Sequence, residues 1–287
     1  MKFLLSLLTA LLLAACAHVP AESAEGPPIR AMTFNIRLDV ASDGGNAWPH
    51  RKEMVEAVIR HEAPDVLGMQ EVLLHQKQYL ESELTDYTFV GVGRDDGADA
   101  GEFSPLGWRN DRFAMVDSGT FWLSPTPEAA GSKGWDAALP RIATWAILRD
   151  RRSGETIRVL NTHFDHIGTV ARANAARMIA EWVAGGDAPA IVMGDFNVTP
   201  DSEPYHVLAN TAQSGLSDTR TISSTPPYGP PGTFTGFDIM AAAEGPIDHI
   251  FVTAGFAVQR YAVVTQHWEG RLPSDHYPVV ADIQPQR

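Results

Sequence analysis

"IVMGDFN", residues 191–197, runs through four apolar or small residues and then ends on an acid, an aromatic and an amide. Residues 191–194 show no polar alternation, so a strand here is buried on both faces. Burial on both faces requires a cover on each side, which a lone sheet open to water does not supply. In extended backbone, Asp195 and Asn197 point to the same side. Taken alone, that is as consistent with an ordinary strand-to-turn exit as with part of a reactive site.

The pattern spreads outward from this stretch. Strand-like runs are predicted at 29–38, 65–72, 87–95, 104–110, 113–124, 141–150, 156–165, 189–196, 246–254, 257–266 and 277–284. "RRSGE" (151–155) joins two of them as a hairpin. Helices are predicted at 48–64, with Met54, Val55, Val58 and Ile59 on one face and Pro64 ending it, at 169–184 before Gly185-Gly186, and near 203–210. Many strands, few helices and several hairpins imply an α/β (α+β) fold. Its expected form is two packed, mostly antiparallel sheets flanked by helices.

Most of these strands carry polar groups at or near one end. Asn35 interrupts "AMTFNI", and Gln70-Glu71 ends "VLGMQE". Asn161 and His163 lie in "VLNTHF", Asp248-His249 in "GPIDHIFV" and Asp275-His276 in "PSDHYPVV". Singly, each fits a cap, a solvated end or a satisfied core residue. Together they are costly unless they meet, because burying each unpaired costs roughly 2–7 kcal/mol. Carboxylate and amide oxygens without cysteine suit a hard cation such as Mg²⁺ or Mn²⁺. Carboxylates to hold a metal, an Asp to orient water and histidines to hold or protonate a phosphate make a kit for metal-assisted phosphoester cleavage. The sequence has no HExxH, G-x-S-x-G, Walker A or G-x-G-x-x-G pattern.

Six stretches in order, "MTFNIR", "DVLGMQEV", "LNTHFDH", "GDFN", "IDHIF" and "SDHYPV", resemble the endonuclease/exonuclease/phosphatase (DNase I-like) superfamily from residue 32 to 280. "DGGNAWPHRKEMV" and "GSKGWDAALPRIATWA" resemble a bacterial branch related to deadenylase and nocturnin-type members. The resemblance implies a four-layer α/β sandwich with its site at one edge of both sheets. It implies Asn35 and Glu71 as metal-binding positions, with Asp275 beside the metal. Asp195 matches the residue that orients or deprotonates water, and Asn197 and His163 match phosphate contacts. Asp248 and His276 match an Asp–His pair in which the carboxylate fixes the imidazole. The segment "SPLGWRNDRF" departs from the pattern, with Trp108 where many members have Tyr, so Trp108 is given no catalytic role. Arg109 and Arg141 are phosphate-contact candidates, with a structural salt bridge as the alternative for each. His166 in "DHIG" is a further substrate candidate, with plain turn chemistry as its alternative.

"MKFLLSLLTALLLAAC" reads as a signal peptide (1–15) before a lipobox-like Cys16, the chain's one cysteine. A small, polar tether follows to residue 28, then one domain over 29–287. The expected address is an exported periplasmic or outer-membrane lipoprotein of a bacterium, or a secreted protein if Cys16 is incidental. Formal charge is −13 with no long basic run, which disfavours long nucleic acids. The expected activity is divalent-metal-dependent hydrolysis of a small phosphorylated substrate. A nuclease and a non-catalytic surface-binding lipoprotein are the alternatives. The expected partners are that substrate and the membrane, through the lipid anchor, and a monomer is expected.

Overall fold

Two six-stranded sheets pack face to face in the computed structural model, which describes residues 28–241 and 245–286. The expected signal peptide, Cys16 and the tether through residue 27 lie outside the described residues.

The first sheet contains β1 (Ile29–Asn35), β2 (Val66–Gln70), β3 (Tyr87–Val90), β4 (Leu106–Arg109), β11 (Phe256–Val263) and β12 (Val279–Pro285). Its order is β11-β12-β1-β2-β4-β3. The second contains β5 (Phe113–Trp122), β6 (Ile142–Asp150), β7 (Thr156–His163), β8 (Ala190–Asp195), β9 (Leu216–Asp218) and β10 (Asp248–Thr253). Its order is β5-β6-β7-β8-β10-β9. Each sheet has one central parallel pair, β1–β2 or β7–β8, and every other pairing is antiparallel.

Alternation within the buried strands produces the layers. Ile191 and Met193 of β8 enter the core between the sheets, with Ala31, Val66, Ile250 and Val279. Val192 enters a separate cluster with Ala176 and Ile179 of helix α3 (Thr169–Ala184). On the first sheet, Met32 and Phe34 turn the other way, onto Val55, Val58 and Ile59 of helix α1 (Lys52–Glu62). Both faces of both central strands are therefore covered, giving helix, sheet, sheet, helix. Each such fully buried apolar side chain contributes roughly 1.5–3 kcal/mol.

Boundaries differ where local backbone decides them. The first strand stops at Asn35 rather than 38, because Arg37 adopts a left-handed φ of 58°. Helix α1 ends at Ala63, whose φ is 47°, just before Pro64. Helix α2 (Leu74–Glu83) was not predicted. Its sequence, LHQKQYLESE, has too few apolar residues to form a stripe.

One amide joins the sheets near the site. Asn161 on β7 donates from Nδ2 to the carbonyls of Met69 (2.7 Å) and Pro105 (2.9 Å) and accepts from Gln70 Nε2 (2.6 Å). A Cβ at Gly68 would sit 2.6 Å from Asn161 Oδ1, so this close approach requires glycine.

Candidate active site

Strand direction gathers the polar residues at one edge of the sandwich. The parallel strands β1, β2, β7 and β8 all finish there, so Asn35, Glu71, His163 and Asp195 emerge together. Antiparallel β10 starts there, with Asp248 directly opposite Asp195. The segment before β12 brings Asp275 and His276, and Arg141 precedes β6. These ends surround a cavity of about 600 Å³ whose wall includes Glu71, His163, Asp195, Asn197, Asp275 and His276. Glu71 (φ 59°) and Asn197 (φ 50°) are left-handed non-glycine residues just past strand ends. Such conformations cost on the order of 1–3 kcal/mol and persist where the surroundings hold them.

Asp195 is the hub. Its Oδ2 accepts from Asn35 Nδ2 at 3.0 Å and lies 3.5 Å from His163 Nε2 and 3.8 Å from His276 Nε2. Its Oδ1 accepts the Asn197 backbone N–H at 2.9 Å. His276 Nδ1 donates to Asp248 Oδ2 at 2.9 Å, which fixes the ring and leaves Nε2 facing Asp195.

The two imidazoles are tuned apart. Burial opposes charge on His276, but Asp248, then Asp195 and Asp275, outweigh it and raise its pKa to about 10. Burial pushes His163 well below the ordinary histidine value, and Arg141 and Arg94 add to that. Asp195 is pushed up to about 7, first by burial and next by the charge of Asp248, while His276 and the two N–H donors pull it back. Near neutral pH the cavity thus offers an imidazolium, a neutral imidazole and a carboxyl poised to exchange a proton.

The remaining expected residues divide. Asp275 lines the cavity, with its pKa raised mainly by burial. Asn197 also lines it, although its Nδ2 donates to the Phe164 carbonyl at 3.1 Å. Arg141 is a buried wall residue, bonded to Asp165 (3.4 Å) and donating to His166 Nδ1 (2.9 Å), and His166 is exposed at the cavity. Arg109 is corrected: it lies away from the cavity, held by both oxygens of Asp111 at 3.0 Å. The reason is register. Strand β4 runs antiparallel to β2 and pairs Trp108 with Val66, so its far end, not Arg109, is next to Glu71. Trp108, given no catalytic role, is buried in the core between the sheets.

The same register brings in Glu102, which sequence reasoning missed. The bridge Val72–Phe103 places Glu102 by the cavity, where it pairs with Arg94 and lies 3.9 Å from His163 Nδ1. Its only prior signal was a position just before a predicted strand. Arg37 and Phe234 also line the cavity and carried no strand-end signal, and Asp43 lines it from the Asp43–Asn46 turn, a stretch whose sequence is compatible with pocket lining or with plain turn chemistry.

Two donor sets fit a hard cation. Asp195, Asp248 and His276 place ligand atoms within 4.8 Å of one another. Their imidazole is already bonded to Asp248 and favours its protonated form, which repels a cation. Glu71 and Asp275 also present carboxylates to the cavity, each 3.7 Å from the Arg37 guanidinium, and oxygen donors of this kind suit a hard cation. Asn35 Nδ2 donates to Glu71 Oε1 and Asp195 Oδ2, both at 3.0 Å, while its Oδ1 accepts from the Arg37 N–H. The amide therefore links the two sets and fixes the Glu71 carboxylate.

The chain matches the Endonuclease/Exonuclease/phosphatase family over residues 32–276. It is similar to the structure of an endonuclease/exonuclease/phosphatase family protein from Bacteroides thetaiotaomicron. That similarity is 36% identity and a TM-score of 0.87, covering 91% of this chain and 96% of the other. It is also similar to a mannosyl-6-phosphatase of Bacteroides thetaiotaomicron VPI-5482, at 37% identity and a TM-score of 0.82, covering 89% and 99%. Nocturnin of Drosophila melanogaster is 25% identical over 322 residues, 91% of this chain and 47% of nocturnin. The chain spans less than half the length of the curated relatives it matches.

Proposed function

The chain belongs to the endonuclease/exonuclease/phosphatase family, whose members act as phosphoester hydrolases, and from that premise we propose that it hydrolyses a small phosphorylated substrate by in-line attack of water. The observation that carries this reading is Asp195 set between two imidazoles of opposite protonation tendency.

Asp195 takes the proton of the attacking water, which its raised pKa suits near neutral pH. Asn197 holds that carboxylate through its backbone N–H. His276, kept protonated and oriented by Asp248, stabilises negative charge on the phosphoryl group and supplies a proton to the leaving oxygen. His163, kept neutral, contacts a phosphoryl oxygen through Nε2. When bound, Mg²⁺ or Mn²⁺ held by Glu71, with Asp275 and Asn35 beside it, supplies neutralisation of phosphoryl charge.

Three features favour a small substrate. The cavity is limited to about 600 Å³. A net charge of −13 disfavours a long polyanion. Phe234 stands half-exposed with its ring 5.1 Å from that of His276, a surface for the apolar face of a sugar. The similarity to a mannosyl-6-phosphatase makes sugar phosphates the first class to try. Export and lipidation at Cys16 belong to the same proposal, because they would place the enzyme among extracytoplasmic phosphoesters.

The test is a panel of sugar phosphates, nucleotides, oligonucleotides and lipid headgroup phosphoesters, each with Mg²⁺, Mn²⁺ or a chelator. The expected result is metal-dependent turnover of a small phosphoester above all oligonucleotides. Turnover confined to oligonucleotides, or undiminished by chelator, contradicts the reading.

A further inference from the structure

Arg37 faces three carboxylates in the cavity wall, and the hydrolysis described above makes no use of it. Both oxygens of Asp43 accept from its guanidinium at 3.0 Å. Glu71 Oε2 and Asp275 Oδ2 each lie 3.7 Å from it, beyond hydrogen-bond reach but within strong electrostatic range. The guanidinium is thus anchored to one acid and only electrostatically engaged with the other two.

Its placement is built into the chain. Arg37 is left-handed, with φ 58°. The fully buried Arg51 donates to the carbonyls of Ile36, Arg37 and Leu38 together, gripping this turn from behind. Asp43 sits on a short helical turn, Ala41–Asn46, whose Gly45 carbonyl is held by Arg271. Both the cation and its anchor are therefore fixed by other parts of the fold, while the side chain remains partly exposed to the cavity.

Glu71 and Asp275 are also the carboxylates read above as holding a divalent cation. A guanidinium and a divalent ion compete for the same negative charge. We propose that Arg37 is the resident counter-cation of this site. It neutralises Glu71 and Asp275 when no divalent ion is bound, and when one binds it is displaced from those two acids while remaining on Asp43. The site's affinity is thereby weaker than its carboxylates alone would give. Asp43, already bonded to the guanidinium, keeps it paired throughout, which makes the exchange reversible. The inference rests on the assignment of Glu71 and Asp275 to the metal.

The experiment is titration calorimetry of Mn²⁺ into the wild type, Arg37→Met, Arg37→Lys and Glu71→Gln, with no substrate present. Removing a unit charge about 4 Å from the ligand carboxylates is expected to tighten Mn²⁺ binding at least tenfold in Arg37→Met. Arg37→Lys, which keeps the charge but loses the bidentate hold on Asp43, is expected to bind Mn²⁺ more weakly than Arg37→Met. Arg37→Met binding Mn²⁺ no tighter than wild type overturns the proposal. Undiminished binding in Glu71→Gln instead places the ion elsewhere and removes the premise, whatever the enzyme hydrolyses. If Arg37→Met does not fold, arginine side-chain NMR of the wild type decides. A saturable change of the Arg37 Nε–H signal on Mg²⁺ titration supports the exchange, and an unchanged signal overturns it.

Discussion

The two edges of the sandwich use the same kinds of charged residue in different ways. At the edge away from the cavity, acids and guanidinium groups are matched locally. Arg112 is bound by Asp150 at 2.9 Å and lies 3.6 Å from Asp65, Arg109 is held by Asp111, and Arg30 is bound by Asp282 at 2.8 Å. At the cavity edge the pairing is incomplete. Asp195 sits among Asn35, His163 and His276, and among the described residues His163 Nδ1 and Asp248 Oδ1 are buried with no hydrogen-bond partner. Paired charges hold the fold, and a surplus left facing a cavity is available for chemistry. Substitutions at the cavity edge should therefore cost activity, and those at the other edge should cost stability alone.

The largest departure is expected on the cavity side. His276→Ala should lower turnover by roughly 10²–10⁴-fold, and it should also lower the melting temperature because it strands the buried Asp248 carboxylate. Asp248→Asn should approach it, because the amide can no longer fix the proton on Nδ1 and the ring loses its orientation. Steady-state kinetics beside a melting curve checks both. At the other edge, Arg112→Ala strands the buried Asp150 and should cost about 3–5 kcal/mol in urea unfolding, with activity per folded molecule unchanged. An activity loss in folded Arg112→Ala would break the contrast.

A smaller effect should appear with pH. Behind the site, His249 donates from Nδ1 to Asp218 (3.3 Å) and from Nε2 to the Val198 carbonyl (3.0 Å), so both nitrogens carry protons. Burial opposes that charge, but the bond to Asp218 and its negative charge outweigh it and raise the pKa. A raised folded pKa gives stability that is fully present below the ordinary value of about 6.5 and is lost as pH rises through the folded value. Unfolding free energy should therefore fall as pH rises above about 6.5, with His276 acting in the same direction, and Asp218→Asn should remove the His249 share of that slope. The smallest effect is expected for Arg109→Ala. Its partly exposed ion pair is worth about 0–1 kcal/mol, and turnover should be unchanged.

Much of this was legible because strand ends announce themselves. Apolar runs stopping at Asn35, Glu71, His163 and Asp195 marked both the strands and the edge where they finish. The 3.6-residue pattern gave the helix over 169–184 as it stands. What was not legible was register, which arises from pairing between distant segments. The strand near 104–110 was visible, but only its antiparallel partner decides that Glu102, not Arg109, reaches the cavity. Arg37 was hidden for another reason. Its left-handed turn is imposed by Arg51 acting on backbone carbonyls, and no periodicity records that. Helix α2 buries a glutamine and one leucine, too little apolar surface to print a stripe.

The most direct test of the central claim is the turnover of Asp195→Asn on the best substrate of the phosphoester panel, with divalent metal saturating. The carboxamide fills the same space, so the cavity should be retained, with a modest loss of melting temperature because its NH2 must face one of the two N–H donors. Water loses its proton acceptor, and turnover should fall by roughly 10²–10⁴-fold. Asp195→Asn turning over within a few-fold of wild type would contradict the account.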